Sequence, residues 1–241
     1  MLAAMPPRNP FDGPYGSGKT EYERYLRVPE LLALQKPPET RSHPDELMFQ
    51  TIHQVEELWM KVIVHELGES ISHLDGDRLA LAQHALDRAC RIEALAEEQL
   101  RLFDSMHPSA YLVIRAGLGQ GSGLDSPGFN RINEVAPLVY DALSRALERA
   151  GVELLAMYQD PAHRPDFLAV AEAMVTFDAN MQRFKREHIM TVRRIIGIGT
   201  ASLRGNPIDM LERSAKLTYY PMLWAVRDRM FIDFKAGPLK Y

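Results

Sequence analysis

Residues 46–67 read ELMFQTIHQVEELWMKVIVHEL, and their apolar positions recur every three or four residues. Phe49, His53, Met60, Val64 and Leu67 fall near one face, with Ile52, Val55, Trp59 and Val62 packed alongside. That is the period of an α-helix, in which successive turns stack side chains on one side; a strand would alternate. Outward from this segment the helical period continues, giving candidate helices at 20–35, 44–74, 77–105, 108–116, 130–158, 165–197 and 208–234. No alternating stretch of convincing length interrupts them, so the expected class is all-α. Pro44, Asp45 and Glu46 suit a helix start, because proline and acidic side chains are favoured in the first turn. The breaks are Gly76, GLGQGSGLDSPG (117–128), DPAHRP (160–165) and GIGTASLRGNP (197–207). The second and fourth are too rich in glycine to pack and read as functional loops. With no repeat or linker to divide it, the chain is expected to be a flexible N-terminal arm, 1–19, followed by one all-helical domain, 20–241.

The chain has 241 residues and a formal charge of −4, enough length for a sizeable core and no overall attraction to nucleic acid or anionic membranes. No nucleic-acid or membrane partner is expected. The only cysteine, Cys90, lies inside a helical pattern, which excludes an intrachain disulfide and an all-cysteine metal site. The N-terminus lacks the order of a signal peptide, and no apolar run approaches the ~20 residues of a membrane span. A cytoplasmic protein is expected.

One motif points elsewhere. GPYGSGKT (13–20) matches the nucleotide-binding pattern G-x-x-x-x-G-K-[ST]. That loop works when a buried strand feeds it and a helix leaves it, so that backbone N–H groups converge on phosphate. Residues 1–19 are rich in Pro and Gly and contain no such strand, and no later apolar strand ends in Asp. No nucleotide is expected.

Two histidines sit on apolar faces. Met174, Phe177, Met181, Phe184, His188, Val192 and Ile195 form one helical stripe, and His53 lies on the stripe quoted first. A buried imidazole needs partners for its nitrogens, and the plainer reading is a core histidine bonded to a neighbouring helix; the sharper one is an axial ligand to haem iron, with Phe and Met against the porphyrin. A carboxylate-bridged di-iron site needs Glu-x-x-His pairs in glutamate-first order, which are absent, and HELGE at 65–69 lacks the H-E-x-x-H spacing of zinc proteases. Arg115 ends AYLVIR before the Gly-rich loop, with Tyr111 one turn earlier. It reads either as an exposed arginine at a helix C-terminus or as a guanidinium fork for a substrate carboxylate.

Together these segments resemble the tryptophan 2,3-dioxygenase superfamily. The resemblance runs in order through YERYL (22–26), DELMFQTIHQVEELWMKVIVHEL (45–67), YLVIRAGLGQGSGLDS (111–126), FKREHIMTVRRIIG (184–197) and LTYYPMLWAVRDRM (217–230). It implies that His188 is the proximal ligand of noncovalent haem b and that His53 is the distal histidine beside the substrate indole nitrogen. It implies further that Phe49 walls the pocket, Arg115 pairs with the substrate carboxylate, Tyr111 lines the same site, and Ser122 and Gly123 form a turn near the oxygen-binding face. Tyr22 and Tyr25 match tyrosines that reach into a neighbouring subunit, so a homo-oligomer with exchanged arms, typically a tetramer, is implied. O2 and an indole amino acid are the implied co-substrate and substrate.

Two departures stand out. Where the family has a Gly-Thr-Gly-Gly-Ser loop this chain has GTASLRGNP (199–207), with Thr200 in the place of the threonine that contacts the amino-acid end of the substrate. The chain is also shorter, between Tyr158 and Pro165. These bear on whether the substrate is tryptophan or a derivative, and on whether two oxygen atoms enter to give an N-formylkynurenine-type product or one enters to give an oxindole or hydroxylated product. A helical haem-binding sensor without turnover, and an all-α interaction module without cofactor, are the readings from other classes.

Overall fold

The computed structural model describes residues 16–119, 121, 123–198 and 213–236, with side chains up to 233. The chain divides into two compact units, Met1–Thr51 and Ile52–Tyr241. The boundary expected at residue 19 lies inside the first unit.

In the first unit α1 spans Glu21–Leu26 and α2 spans Val28–Leu31. The single helix expected over 20–35 is split because Arg27 adopts a left-handed backbone, φ 52°, which ends the α1 hydrogen-bond ladder. Thr20 caps α1 in a reciprocal box with Glu23. The Glu23 carboxylate accepts the Ser17 N–H at 2.6 Å, the Thr20 N–H at 3.0 Å and the Thr20 hydroxyl at 2.8 Å. These bonds, Thr20's foremost, hold its pKa down at about 2. The last donors of the G-x-x-x-x-G-K-[ST] pattern therefore serve a carboxylate of the chain itself. Farther on, buried Glu46 accepts from Lys36 Nζ at 2.6 Å, and from the Ser42 N–H at 2.6 Å and hydroxyl at 2.9 Å. The segment before the third helix is thereby stitched to that helix's first turn.

The third helix, α3 (Glu46–Asp75), continues into the second unit, followed by α4 (Leu79–Leu100), a 3-10 turn at Arg101–Ser105, α5 (Pro108–Ala116) and a 3-10 turn at Gly123–Asp125. Then come α6 (Pro127–Ala150), α7 (Leu154–Gln159), α8 (Pro165–Ile196) and α9 (Pro221–Ala236). No strand occurs among the described residues, and the fold class is all-α, as expected. The segment expected as one helix over 130–158 is two, because Gly151 turns left-handed at φ 66° and closes α6. Residues 208–212 of the last expected helix lie outside the described residues, and α9 begins at Pro221.

Cross-helix bonds give the directions. Gln99 donates to the Ile52 carbonyl and Arg88 pairs with Glu66, so α3 and α4 are antiparallel. Glu57 meets Ser126 while Asp75 meets Arg145, so α3 and α6 are parallel. Asn180 donates to the Cys90 carbonyl and Arg183 pairs with Glu97, so α4 and α8 are parallel. The four long helices thus run up, down, up, down. Their core is the stripe Ile52, Met60, Ile63, Leu67 and Leu74 on α3, an alanine-rich face of α4, and Met174, Phe177 and Met181 on α8. The buried face of α4 carries the small residues Ala82, Ala85 and Ala89, and Cys90 and Glu97 of the same helix meet α8. Each fully buried leucine contributes roughly 2 kcal/mol.

A buried polar cluster fastens the start of α9 to α8. The Asp178 carboxylate, fully buried, accepts from the Tyr219 N–H at 3.1 Å, the Tyr220 N–H at 3.3 Å and Trp224 Nε1 at 2.8 Å. Beside it, burial and the Asp178 charge push the Glu93 carboxyl well above the usual range. Lys185 lies over the Tyr219 and Phe129 rings, at 5.0 Å and 5.5 Å, and burial lowers its pKa.

Candidate functional site

The antiparallel arrangement brings the N-terminal part of α3, the start of α6 and the C-terminal part of α8 to one end of the bundle. His188 is on the last of these. Its stripe is fully covered from Met174 to Phe184 and opens from His188 onward, where His188, Val192 and Ile195 are half-buried. Burial nonetheless holds the imidazole pKa down at about 4, helped by repulsion from His53. At neutral pH His188 is therefore an uncharged base, and His53 lies close enough to sense its charge.

His53 corrects one expectation, since it is exposed rather than buried. The buried stripe of α3 runs through Ile52, Glu56, Met60 and Ile63, and His53 is one residue, about 100° of helical turn, off that line. Its ring still packs edge-on against Phe103, with centroids 5.6 Å apart at 62°. Phe103 is buried in the 3-10 turn after α4. That turn is tied to the end of α8 by Arg194, which donates to the Asp104 carbonyl at 3.3 Å and pairs with its carboxylate at 3.4 Å. Phe49 is half-buried on α3, one turn before His53.

Helix α5 begins at Pro108, with His107 as cap, and buries Ala110 and Ile114. Its packing partners include α8. Tyr111 and Arg115 flank that buried line and are half-buried. Burial raises the Tyr111 pKa while the Arg115 charge opposes the rise, which puts the guanidinium and the phenol in electrostatic contact. Arg115 stands in the last turn of α5, half-buried, with Tyr111 one turn before it.

Glu57 of α3 holds the start of α6. Glu57, one turn past His53, accepts from the Ser126 hydroxyl at 2.5 Å and from the Gly128 N–H at 3.0 Å. Gly123, exposed, opens the 3-10 turn that leads into Ser126.

A model of the tryptophan 2,3-dioxygenase family matches residues 12–136, more than half of the chain. The chain belongs to the tryptophan 2,3-dioxygenase family. That stretch includes Phe49, His53, Tyr111, Arg115 and Gly123 but ends before His188. Similarity to individual family members runs farther. A tryptophan 2,3-dioxygenase of Myxococcus xanthus (strain DK1622) is 27% identical over 264 residues, covering 89% of this chain and 91% of that protein. Others from Xanthomonas campestris pv. campestris (strain B100) and Saccharopolyspora erythraea are 27% and 28% identical, over 90% and 86% of this chain and 89% and 91% of theirs. The family is one of oxidoreductases.

Among the described residues no group of three or more His, Cys, Asp or Glu side chains is disposed to hold a metal ion, and no helix is long and apolar enough to cross a membrane. A cofactor bringing its own equatorial ligands needs only one protein donor, and a neutral imidazole on an apolar stripe that opens at its level fits that requirement. The residues present fit haem. Ser122, Thr200 and the GTASLRGNP loop lie outside the described residues. Sequence reasoning missed Glu57 and Phe103. Glu57 sits in the quoted helix but looks like one acid among several. Phe103 carries no motif, and its apolar surroundings are its only signal.

Proposed function

We propose that this protein is a haem-dependent oxygenase that places oxygen from O2 at the indole C2–C3 bond of L-tryptophan or a close derivative, giving an N-formylkynurenine-type product. The observation that supports this reading is family membership together with the helix directions that bring His53 of α3 and His188 of α8 to one end of the bundle. His188 would hold the iron of a noncovalent haem b. When bound, haem supplies the iron at which O2 is activated.

The chain's own residues then bind and orient. The partly exposed His53 would accept a hydrogen bond from the indole N–H, and its contact with Phe103 limits how far the imidazole can swing. Arg115 would take the substrate carboxylate in a bidentate fork, with Tyr111 beside it, and Thr200 would complete the amino-acid end. Phe49, a turn before His53, would line the flat face of the indole, and Ser122 and Gly123 would approach the oxygen. Fixing both ends of the substrate makes orientation the protein's main contribution. Tyr22 and Tyr25, 71% and 88% exposed, are proposed to reach the site of a second copy in a homo-oligomer, a tetramer by family resemblance.

The GTASLRGNP departure supports a second reading, a monooxygenase of a modified tryptophan giving an oxindole or hydroxylated product. Mass spectrometry of the products formed under labelled O2 by reduced, haem-loaded protein separates the two: two label atoms mean ring cleavage, one means monooxygenation. Substituting His188→Ala is expected to abolish the haem absorption band and turnover together. A normal haem spectrum with turnover in that variant overturns the assignment, and haem binding without oxygen uptake on any indole amino acid identifies a sensor.

A further inference from the structure

We infer that Glu57 is a positioning residue that sets where the turn Gly123–Ser126 stands relative to His53. Glu57 follows His53 by four residues, one turn along the same face of α3. Its two carboxylate oxygens divide the work: Oε1 accepts the Ser126 hydroxyl at 2.5 Å and Oε2 the Gly128 N–H at 3.0 Å. The Ser126 oxygen also accepts the Phe129 N–H at 3.0 Å, so one hydroxyl caps α6 and donates to Glu57, with Met60 Sδ a longer second acceptor at 3.6 Å. A carboxylate at this place also meets the positive end of the α6 dipole.

The approach is too close for any other residue at Gly128. A Cβ there would stand 2.7 Å from Met60 Cβ and 2.8 Å from Glu57 Oε2. From Ser126 the connection to the turn is short, because the Ser126 N–H donates to the Gly123 carbonyl at 3.2 Å. Gly123 is therefore two hydrogen bonds from Glu57. Exposed Gly123 has no side chain with which to pack, so its position depends on where the turn is attached.

The functional consequence rests on the proposed oxygenase reading; the attachment itself does not. The test is hydrogen exchange of backbone amides 123–130 in the full-length protein without haem, beside the C–O stretch of the ferrous carbonyl adduct in the haem-loaded protein. Glu57→Ala is expected to speed exchange over 123–130 at least tenfold, with the amides of 143–149 unchanged, and to shift or split the C–O band. Glu57→Gln, which keeps an acceptor for Gly128, should restore most of both. Ser126→Ala should reproduce the exchange change with Glu57 intact. Unchanged exchange over 123–130 in Glu57→Ala, or a rise equal along every helix, overturns the proposal. Local exchange changes with an unmoved C–O band restrict Glu57 to a structural role and overturn it too. If the wild-type protein binds no haem, the oxygenase reading fails, while the exchange result still decides the attachment.

Discussion

At the end of the bundle remote from the histidines, Arg145 forks onto Asp75, and Arg149 onto Asp77 and the Leu74 carbonyl, with side chains 39–62% exposed. At the histidine end the fastenings are of another kind. There one half-buried carboxylate, Glu57, receives a hydroxyl and a backbone N–H, and an aromatic edge braces His53. Behind that end, fully buried Asp178 gathers three donors from the start of α9. The remote end is closed by charges that water screens, each of small worth. The histidine end is shaped by a few groups whose removal strands buried or part-buried donors, and there His53 is exposed and Arg115 half-buried.

The contrast makes a ranked set of outcomes. Replacing Asp178 by Ala leaves two backbone N–H groups and the Trp224 indole without an acceptor, and is expected to cost about 3–5 kcal/mol in urea unfolding. A loss under about 1 kcal/mol would erase the distinction between the two regions.

Glu56 gives a pH-dependent effect. Burial, with the Glu57 charge, raises its carboxyl from 4.5 to about 7. The folded state therefore holds this proton more tightly than the unfolded state, and stability falls as pH rises from 4.5 to 7, then levels. Glu56→Gln should match wild type near pH 4 and exceed it by up to about 3 kcal/mol at pH 8. His188, lowered from 6.5 to about 4, works oppositely, losing stability as pH falls through that window. The difference between variant and wild type, rather than either profile, isolates Glu56. A difference constant with pH would contradict the raised carboxyl.

Arg115→Lys keeps the charge but removes the planar fork, so KM for an indole amino acid should rise about tenfold with little change in kcat. Equal effects on a substrate lacking the carboxylate would relocate the fork. Smallest of all, Arg145→Ala should cost less than about 1 kcal/mol, and its effect should shrink in 1 M salt.

Much of the helical layout was legible because periodicity and punctuation agree. Helix α5 spans 108–116, bounded by Pro108 and Gly117, and α8 runs from Pro165 to Ile196 before Gly197, as the spacing predicts. The breaks at Arg27 and Gly151 were less legible. Nothing marks an arginine as left-handed, and one glycine amid apolar residues does not announce a turn. The roles proposed for His53, His188 and Arg115 come from their stripes and from family resemblance, and the substitutions at His188 and Arg115 test two of them. The accessibility of His53 could not be read from either, because a helical face is a broad sector and only packing decides which line within it is covered.

The sequence by itself determined that the chain is helical, which faces turn inward, and that an imidazole interrupts an apolar stripe at position 188. Those are local properties, set by a 3.6-residue period and by the turn preferences of proline and glycine. Only the tertiary structure decided which end of the bundle collects the histidines and that Phe103 braces His53. It also decided that Glu57 reaches Ser126 and Gly128, 69 and 71 residues away. Contacts between residues so far apart depend on helix direction and register, which are fixed when the stripes pack against one another rather than by any one segment alone.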